Sequence, residues 1–456
     1  MRPVTCLVLL AAAGGCAGGT EPSRTQRVIA ILADDNYVWA QREPELVAKK
    51  LVKMQRGVFP WLRGTPAVYW RDATDPGVRA PTAFGDVASS RVLLVGDPHP
   101  ENIGTFRAAS GELYFHWNDF DGAGYGPYGI DVRRLAAGMI LATGATDAEA
   151  GELAREVGAG YAAEIARLAA GGALEPLAAG VDALLDGELA KARRNGDRGD
   201  PLDKVAPVEG GARSVAFGDL EAVADDGVIE DRQLPAGVDG VAAIDAAIDA
   251  WNHPELGATK LRLRKIGAGV SSYAALRYFA ILEGPTPSPA DDRIIELKET
   301  RDGVIVRGQP RLAAAEWDSP GARAVDAQHR LHGRADGDPL LGSARAGGLS
   351  LKIRDRAAYQ RGLDAEDLAE LPADRRLVLA RRFGALLASA HGGARTADGI
   401  PGHAAIAPLL AGREASFAEE IRALALADVA QVRADDEALR GDDLGALVAA
   451  GGADSP

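Results

Sequence analysis

The hydrophobic positions of this chain follow two different spacings along its length. Apolar residues at helical spacing run from Arg27 to about Lys53, return after residue 130, and recur over residues 367–391. Two continuous apolar runs, RVLLV and ELYFHW, are typical of buried strands, and the first of them breaks at Gly96. The front of the chain is therefore predicted to be mainly helical, with two strands in its middle.

The spacing changes at Lys260, where extended segments begin to dominate. The stretch LRLRKIGAGVSSYAALRYFAILEG predicts a strand, a glycine-containing turn and a second strand, and RIIELKET predicts a third strand that carries Lys298. A helix over PGARAVDAQHRLHG comes next, and LLGSARAGG and LSLKIRDR predict two more strands. The predicted fold class is α+β.

Polar residues follow both of the early strands. Asp97 comes directly after Gly96 at the end of the first strand, and Asn102 follows five residues later. The second strand leads into the turn NDFDG, which supplies Asp119 and Asp121. Carboxylates with a side-chain amide are the oxygen ligands that hold Mg²⁺ against phosphate groups, and one further Asp can orient an attacking hydroxyl. The alternative is structural, because Asp and Asn are also common turn and helix-cap residues.

These segments resemble the catalytic and metal-binding segments of aminoglycoside phosphotransferases and homoserine kinases, a branch of the protein-kinase-like fold. That branch reads roughly HGDxHxxN, a strand, and DFDDAGYGPxxYDLA; the corresponding segments here are VGDPHPEN and DFDGAGYGPYGIDVR. They are still more similar to the GDxHxxNFG and NDFDE segments of a bacterial family, domain of unknown function 2252 (DUF2252). The resemblance implies a two-lobed kinase-like fold that transfers the γ-phosphoryl group of ATP to an acceptor not identified by the sequence.

The resemblance also implies roles for five residues of this stretch. Asp97 matches the catalytic Asp, which accepts a proton from the acceptor hydroxyl or orients that hydroxyl. Asn102 and Asp119 match the magnesium ligands, and Asp121 would be a further ligand or would support one. Asp131 matches the Asp that buttresses the catalytic loop. Mg²⁺ and ATP are thus the implied cofactors.

The later strands resemble the small lobe of the same fold. Their order over residues 258–357, which is three strands, a helix and two strands, is the order of that lobe. Gly267 and Gly269 would let a turn approach the ATP phosphates, and Lys298 matches the third-strand Lys that binds them. The helix supplies no Glu to pair with Lys298, since Asp326 is its only acidic residue.

The order of the segments along the chain differs from that in the phosphotransferases. There, an amphipathic helix runs directly into the HGD motif. Here the similar helix ends at His391, which follows Asp97 by almost three hundred residues, and Val95 stands in place of the first His of that motif. We therefore expect a circular permutation, although a His at a helix end is also a common C-cap.

The predicted parts are a signal peptide with a lipobox (1–16), a tether (17–26), a helical lobe bearing the catalytic stretch (27–257), a small β-rich nucleotide lobe (258–357) and C-terminal helices that complete the large lobe (358–450).

Composition and the N-terminus bear on partners and location. The formal net charge is −14 without a basic stripe, so nucleic acid is not an expected partner. The N-terminus, MRPVTCLVLLAAAGGC, has the pattern of a signal peptide, and AAGGC resembles a bacterial lipobox with Cys16 as the lipidated residue. This pattern predicts a protein anchored by lipid to the membrane at the cell envelope. A misassigned start codon would instead be compatible with a cytoplasmic protein.

Two other functions fit parts of the sequence. Asp97-Pro98-His99 matches the D-x-H that opens metallophosphoesterase sites, but the sequence has neither the GNH nor the GHxH motif of such sites. The export signal favours a degenerate kinase-like module that only binds its ligand, because ATP is scarce outside the cytoplasm. Arg63 is a further candidate for phosphate binding, and packing on Trp61 or pairing with Asp72 would explain it equally well.

Overall fold

The computed structural model describes most of the chain. It covers residues 21–78, 82–86, 88–197, 206–213, 228–230, 240–253, 256–257, 259–266, 274–303, 305, 317–333, 337–346, 348–357 and 359–453. The predicted signal peptide with Cys16, and the predicted phosphate-loop residues Gly267 and Gly269, lie outside these ranges. None of the described helices is long and apolar enough to cross a membrane.

Helices form the larger part of the described chain. The first begins at Arg24, because the Ser23 hydroxyl accepts a hydrogen bond from the backbone N–H of Gln26 and the Gln26 side chain accepts one from that of Ser23. The end of the predicted tether (17–26) is therefore helical. The helices are α1 (Arg24–Arg42), α2 (Pro44–Met54), α3 (Val58–Gly64), α4 (Pro66–Thr74), α5 (Tyr128–Thr143), α6 (Asp147–Ala169), α7 (Ala183–Asp197), α8 (Gly240–Trp251), α9 (Pro320–His332), α10 (Ala365–Ala369), α11 (Ala373–Gly393), α12 (Gly402–Leu410), α13 (Glu414–Leu439) and α14 (Leu444–Ala453).

The strands in the described part of the chain form one larger sheet and three two-stranded ribbons. In the six-stranded sheet, which is antiparallel throughout, the order is β11-β12-β10-β9-β8-β7, and the ribbons are β1-β4, β2-β3 and β5-β6. The strands are β1 (Arg91–Leu94), β2 (Ile103–Arg107), β3 (Leu113–Trp117), β4 (Gly124–Pro127), β5 (Val208–Glu209), β6 (Ala212–Arg213), β7 (Val228–Glu230), β8 (Thr259–Ile266), β9 (Arg277–Leu282), β10 (Arg293–Glu299), β11 (Gly342–Ala346) and β12 (Leu349–Asp355).

Alternation along the strands gives the six-stranded sheet two different faces. Successive side chains of a strand point to opposite faces, so Leu297 and Ile353 lie on one face while Lys298 and Lys352 lie on the other. The first face packs on α8 in a small separate core, to which Ile244 of that helix contributes. The opposite face carries Lys298 and Glu296 of β10, Lys352 and Arg354 of β12, and Arg277 of β9.

The main core surrounds α5, whose residues are all buried. Helices α6, α11 and α13 pack around it, and the β1-β4 ribbon lies at its N-terminal end. Three charged residues of α5 are part of this core, namely Asp131, Arg133 and Arg134. A buried charge is costly unless it is paired and hydrogen-bonded, so these residues require specific partners. The partner of Arg133 is Asp428 of α13, at 2.7 Å.

Comparison with the sequence-based prediction confirms the α+β class. The strands and the helix predicted between Lys260 and residue 357 are present as β8 to β12 and α9. The sheet also includes β7, and α8 covers its apolar face; both elements precede residue 258, where the small lobe was predicted to begin.

Other predicted elements differ in detail. The stretch predicted as helical from Arg27 to about Lys53 forms two helices, α1 and α2, which separate before Pro44 because proline fits the first turn of a helix but not its interior. The Gly/Pro-rich composition of the segment after Asp121 predicts a loop, but the segment forms β4, whose backbone pairs with β1 despite the low strand propensity of these residues. Thr146 is predicted from the sequence as the N-cap of α6. It stands at that position, but its side chain makes no capping hydrogen bond.

Candidate functional site

Pairing between β1 and β4 brings the two polar segments together. Leu94 lies opposite Gly124 in this ribbon, so the chain just after β1 and the chain just before β4 run beside each other. Asp97 belongs to the first segment and Asp121 to the second. The backbone N–H of Asn118 also donates to the carbonyl of Asn102, at 2.9 Å, which joins the segments at a second point.

Asp131 holds the end of the first segment in place. Its Oδ2 accepts hydrogen bonds from the backbone N–H groups of Val95, at 2.9 Å, and Gly96, at 3.1 Å. The same oxygen lies 3.2 Å from Nε2 of His391, and Nδ1 of His391 lies 2.9 Å from the hydroxyl of Tyr161. Because the carboxylate is the acceptor, His391 donates to Asp131 from Nε2. Asp131 therefore fixes the backbone just after β1 and links it to His391 at the end of α11.

Asp97 is paired with a buried arginine. Its Oδ1 lies 2.6 Å from Nε and 2.5 Å from Nη2 of Arg134, whose side chain is fully buried. Burial raises the pKa of the Asp97 carboxyl, and the charge of Arg134 only partly offsets that effect. No hydrogen bond from the described part of the chain reaches the other oxygen, Oδ2. The backbone carbonyl of Asp97 accepts from the side-chain amide of Asn102, at 2.9 Å.

Asp119 and Asp121 meet Lys298 from the six-stranded sheet. The Lys298 ammonium lies 2.5 Å from Oδ2 of Asp121 and 3.5 Å from Oδ2 of Asp119. Burial by itself raises the pKa of the Asp119 carboxyl, but the charges of Lys298 and Lys352 outweigh burial and lower it. Burial likewise lowers the pKa of Lys298, yet the two carboxylates outweigh it and raise that pKa. The Asp119 carboxylate and the Lys298 ammonium are thus held in their charged forms.

A cleft of about 190 Å³ lies between the sheet and the polar segments. Asp97 is absent from its lining, and the described residues that line it are all charged or carry a side-chain amide. They are Arg63, Asn102, Asn118, Asp119, Asp121, Arg277, Glu296, Lys298, Lys352 and Arg354.

The donors in this cleft fit a magnesium ion that is shared with phosphate. Among the described residues, no group of three or more His, Cys, Asp or Glu side chains is placed to hold a metal. Mg²⁺, however, commonly uses one or two carboxylates, with phosphate and water completing its coordination. Asp119 and Asp121 supply two carboxylates, and Oδ1 of Asp121 is buried without a hydrogen-bond partner. An amide oxygen is available from Asn102, which lines the same cleft.

The remaining candidates from the sequence lie around this cleft. Arg63 lines it and pairs with Glu101, not with Asp72. His99 is buried with its ring edge against Phe59, and burial, together with the charges of Arg63 and a second arginine, lowers its pKa well below the usual value. The ring is therefore neutral.

The acidic residue of α9 does not pair with Lys298. Asp326 instead accepts hydrogen bonds from Trp317, at 2.7 Å, and Arg330, at 3.1 Å.

Several residues of the site were not found by sequence reasoning. No sequence motif identifies Arg134 as a residue of the site. Lys352 and Arg354 carried a detectable signal, because they alternate with apolar residues in LSLKIRD and so lie on the same face of a half-buried strand. Glu296, two residues before Lys298, shows the same alternation in RIIELKE; it accepts from Arg354, at 2.8 Å.

Comparison with known proteins places the chain in a family. Residues 42–442 match the family described as "Uncharacterized protein conserved in bacteria (DUF2252)". The match covers most of the chain, so the chain belongs to this family. No curated protein and no solved structure matches it significantly.

Proposed function

We propose that this DUF2252 protein is a kinase-like phosphotransferase that binds Mg-ATP between its six-stranded sheet and its helical part. One observation carries the proposal. Lys298 of the sheet and the Asp119–Asp121 turn, which are far apart in sequence, contact each other in one cleft. A metal-binding carboxylate and a phosphate-binding lysine must face each other in this way if a single Mg-nucleotide is to span them.

The topology supports a circularly permuted kinase-like arrangement. The sheet has three consecutive antiparallel strands, then a helix, then a strand pair in which β12 returns to pair with β10. All of these elements follow the Asp97 segment in the chain. The helix α11 follows these elements in the chain and packs in the main core, where His391 contacts Asp131 beside the end of β1. This contact is the one expected if α11 replaces the helix that precedes the motif in the phosphotransferases.

Each residue then has a defined task. Asp119, Asp121 and Asn102 would hold magnesium, which supplies positive charge to neutralise the phosphate oxygens. Lys298 would bind phosphate. Asp97 would accept the proton of the acceptor hydroxyl at Oδ2, while Arg134 fixes the carboxylate through Oδ1. The raised pKa of Asp97 favours this role, since a base works best when its pKa approaches the working pH.

A binding module without catalysis is the second candidate. The ion pair between Asp97 and Arg134 favours it, because an arginine on the carboxylate stabilises the charged form and weakens its basicity. A phosphoesterase has less support, because that function does not require Lys298 to contact the Asp119–Asp121 turn.

Three Asp→Asn variants distinguish a phosphotransferase from a binding module without catalysis. We expect Mg-ATP to raise the melting temperature of the parent protein, because a ligand that binds only the native state stabilises it. Asp119→Asn should lose this shift. Asp97→Asn should keep it but should lower the rate of ATP turnover, with water as the acceptor, about 10²–10⁴-fold. Asp398→Asn, at an exposed position, is the matched control.

The outcomes distinguish the proposals. An Asp119→Asn protein that responds to Mg-ATP like the parent would remove Asp119 from the metal site. Binding by the parent with no turnover that depends on Asp97 would favour the binding module.

A further inference from the structure

A row of cations crosses the sheet on the face that borders the cleft. Lys298 of β10 lies directly opposite Arg277 of β9 on one side and Lys352 of β12 on the other. All three residues line the cleft. Like charges directly opposite each other in neighbouring strands destabilise a sheet, so this row needs compensating negative charge.

Two of these cations have carboxylate partners. Lys298 contacts Asp121 and Asp119, as described above. Arg277 lies 3.7 Å from Glu296, which also accepts from Arg354. The carboxylates of the cleft are thus already shared by these cations.

Lys352 lacks such a partner within the described part of the chain. Its side chain is only 4% exposed, and no described carboxylate lies within ion-pair distance of its ammonium. The ammonium lies 5.7 Å from the centre of the Phe120 ring. Burial lowers the pKa of Lys352 to about 8; Arg354 and Lys298 add to that effect, while Asp121 and Asp119 oppose it. An isolated buried ammonium is costly, so its place in the cleft indicates that an anion completes the site.

We infer that Lys352 is a phosphate-binding residue and that the row Arg277, Lys298 and Lys352 selects a ligand by the length of its phosphate chain. The inference rests on the proposed function and specifies its ligand class. A row of cations from three adjacent strands suits a chain of linked phosphates better than one compact anion. The described lining contributes no apolar side chain that would bind a nucleoside base. Recognition by this row of cations therefore falls on the phosphate chain of the ligand.

Calorimetric titration with ligands of different chain length tests this inference. The ligands are pyrophosphate, tripolyphosphate, ADP and ATP, each with Mg²⁺. The parent protein is expected to bind tripolyphosphate and ATP with similar affinity, and more tightly than pyrophosphate and ADP. Lys352→Met should weaken binding of tripolyphosphate and ATP about tenfold, because it removes one charge-assisted hydrogen bond to phosphate. It should also reduce the preference for the longer chain.

Matched variants control for charge and folding. Lys352→Arg keeps the positive charge, so its affinities should stay within about threefold of the parent values. Lys49→Met makes the same substitution at an exposed position and should change nothing. Far-ultraviolet circular dichroism and urea unfolding establish that Lys352→Met is folded. If it is not, Lys352→Gln, which keeps a polar side chain, replaces it and carries the same expected loss.

The results separate this inference from the proposed function. Parental affinity of Lys352→Met for Mg-tripolyphosphate, with loss of binding in Asp119→Asn, would overturn the role of Lys352 and leave the proposed function standing. Tight binding of ATP with no binding of tripolyphosphate would show that the base is the main determinant and would also overturn the inference. A parent protein that binds none of the four ligands would overturn both proposals.

Discussion

Replacing Gly96 with alanine should destabilise the protein more than the same change at Gly111. Both glycines have positive φ, +90° at Gly96 and +87° at Gly111, where an L-residue is strained. That strain costs about 1–2 kcal/mol at either position. The surroundings differ, because a Cβ at Gly96 would lie 2.1 Å from the backbone oxygen of Gly122, whereas one at Gly111 would meet nothing within 4 Å.

The contact at Gly96 determines how much more stability Gly96→Ala should lose than Gly111→Ala. Carbon and oxygen atoms in such contacts normally lie about 3.3–3.6 Å apart, so the two segments would have to separate by about 1.2–1.5 Å. The obstacle is backbone and cannot rotate away. Overpacking of this kind typically costs about 1–3 kcal/mol. We therefore expect Gly96→Ala to lose about 2–5 kcal/mol in total and Gly111→Ala about 1–2 kcal/mol.

Urea unfolding of the parent and both variants, followed by circular dichroism, measures these losses as changes in the unfolding midpoint at constant slope. Movement of Gly122 also displaces Asp121, so Gly96→Ala should weaken Mg-ATP binding as well, whereas Gly111→Ala should not. Equal losses of stability in the two variants would show that the segments do not approach as closely as the structure indicates.

Two further predictions concern buried carboxylates. Asp131→Asn should lower the free energy of unfolding by about 1–3 kcal/mol, because three hydrogen bonds to a carboxylate oxygen become bonds to a neutral amide. A double-mutant cycle with His391→Gln should show a coupling energy of about 0.5–3 kcal/mol between the two residues. Additive losses of stability would refute the contact between Asp131 and His391. Asp338 has a pKa raised to about 6, first by burial and then by the charge of Asp355. At Asp338 the folded protein therefore binds more protons than the unfolded chain between about pH 4 and pH 6, and the contribution of this group to stability should fall by at most about 3 kcal/mol as the pH rises through that window. Asp338→Asn keeps an oxygen for the two backbone N–H groups that bind Oδ1, and it should remove this fall in stability. Urea unfolding of the parent and the variant at pH 4 and pH 7 measures the change. An unchanged pH dependence would contradict the raised pKa of Asp338.

The sequence predicted those parts of the fold that depend on local pattern. The strands β8 to β12 and the helix α9 follow from runs of apolar and alternating residues, and their order in the sheet is consistent with the predicted order of segments. The strand β4 could not be predicted in this way, because Gly and Pro have low strand propensity and only the pairing with β1 makes this segment extended.

The site was predictable where a motif fixed it and not where tertiary contacts did. Asp119 and Asp121 were identified from the turn NDFDG, and Lys298 from its position in the third strand; the structure brings all three together. The pairing of Asp97 with Arg134 was not predictable, because it joins a loop to the interior of a helix that the sequence marks only as apolar. Likewise, His391 contacts Asp131 only because α11 returns to the core after the sheet.

Calorimetric titration of the parent protein with ATP, in the presence of Mg²⁺ and again with excess chelator, tests the central claim most directly. The account predicts one ATP bound per chain with Mg²⁺. Binding should be far weaker without Mg²⁺, because Asp119 and Asp121 then repel the phosphates that Lys298 attracts. No binding with Mg²⁺, or equal binding with and without it, would contradict the account.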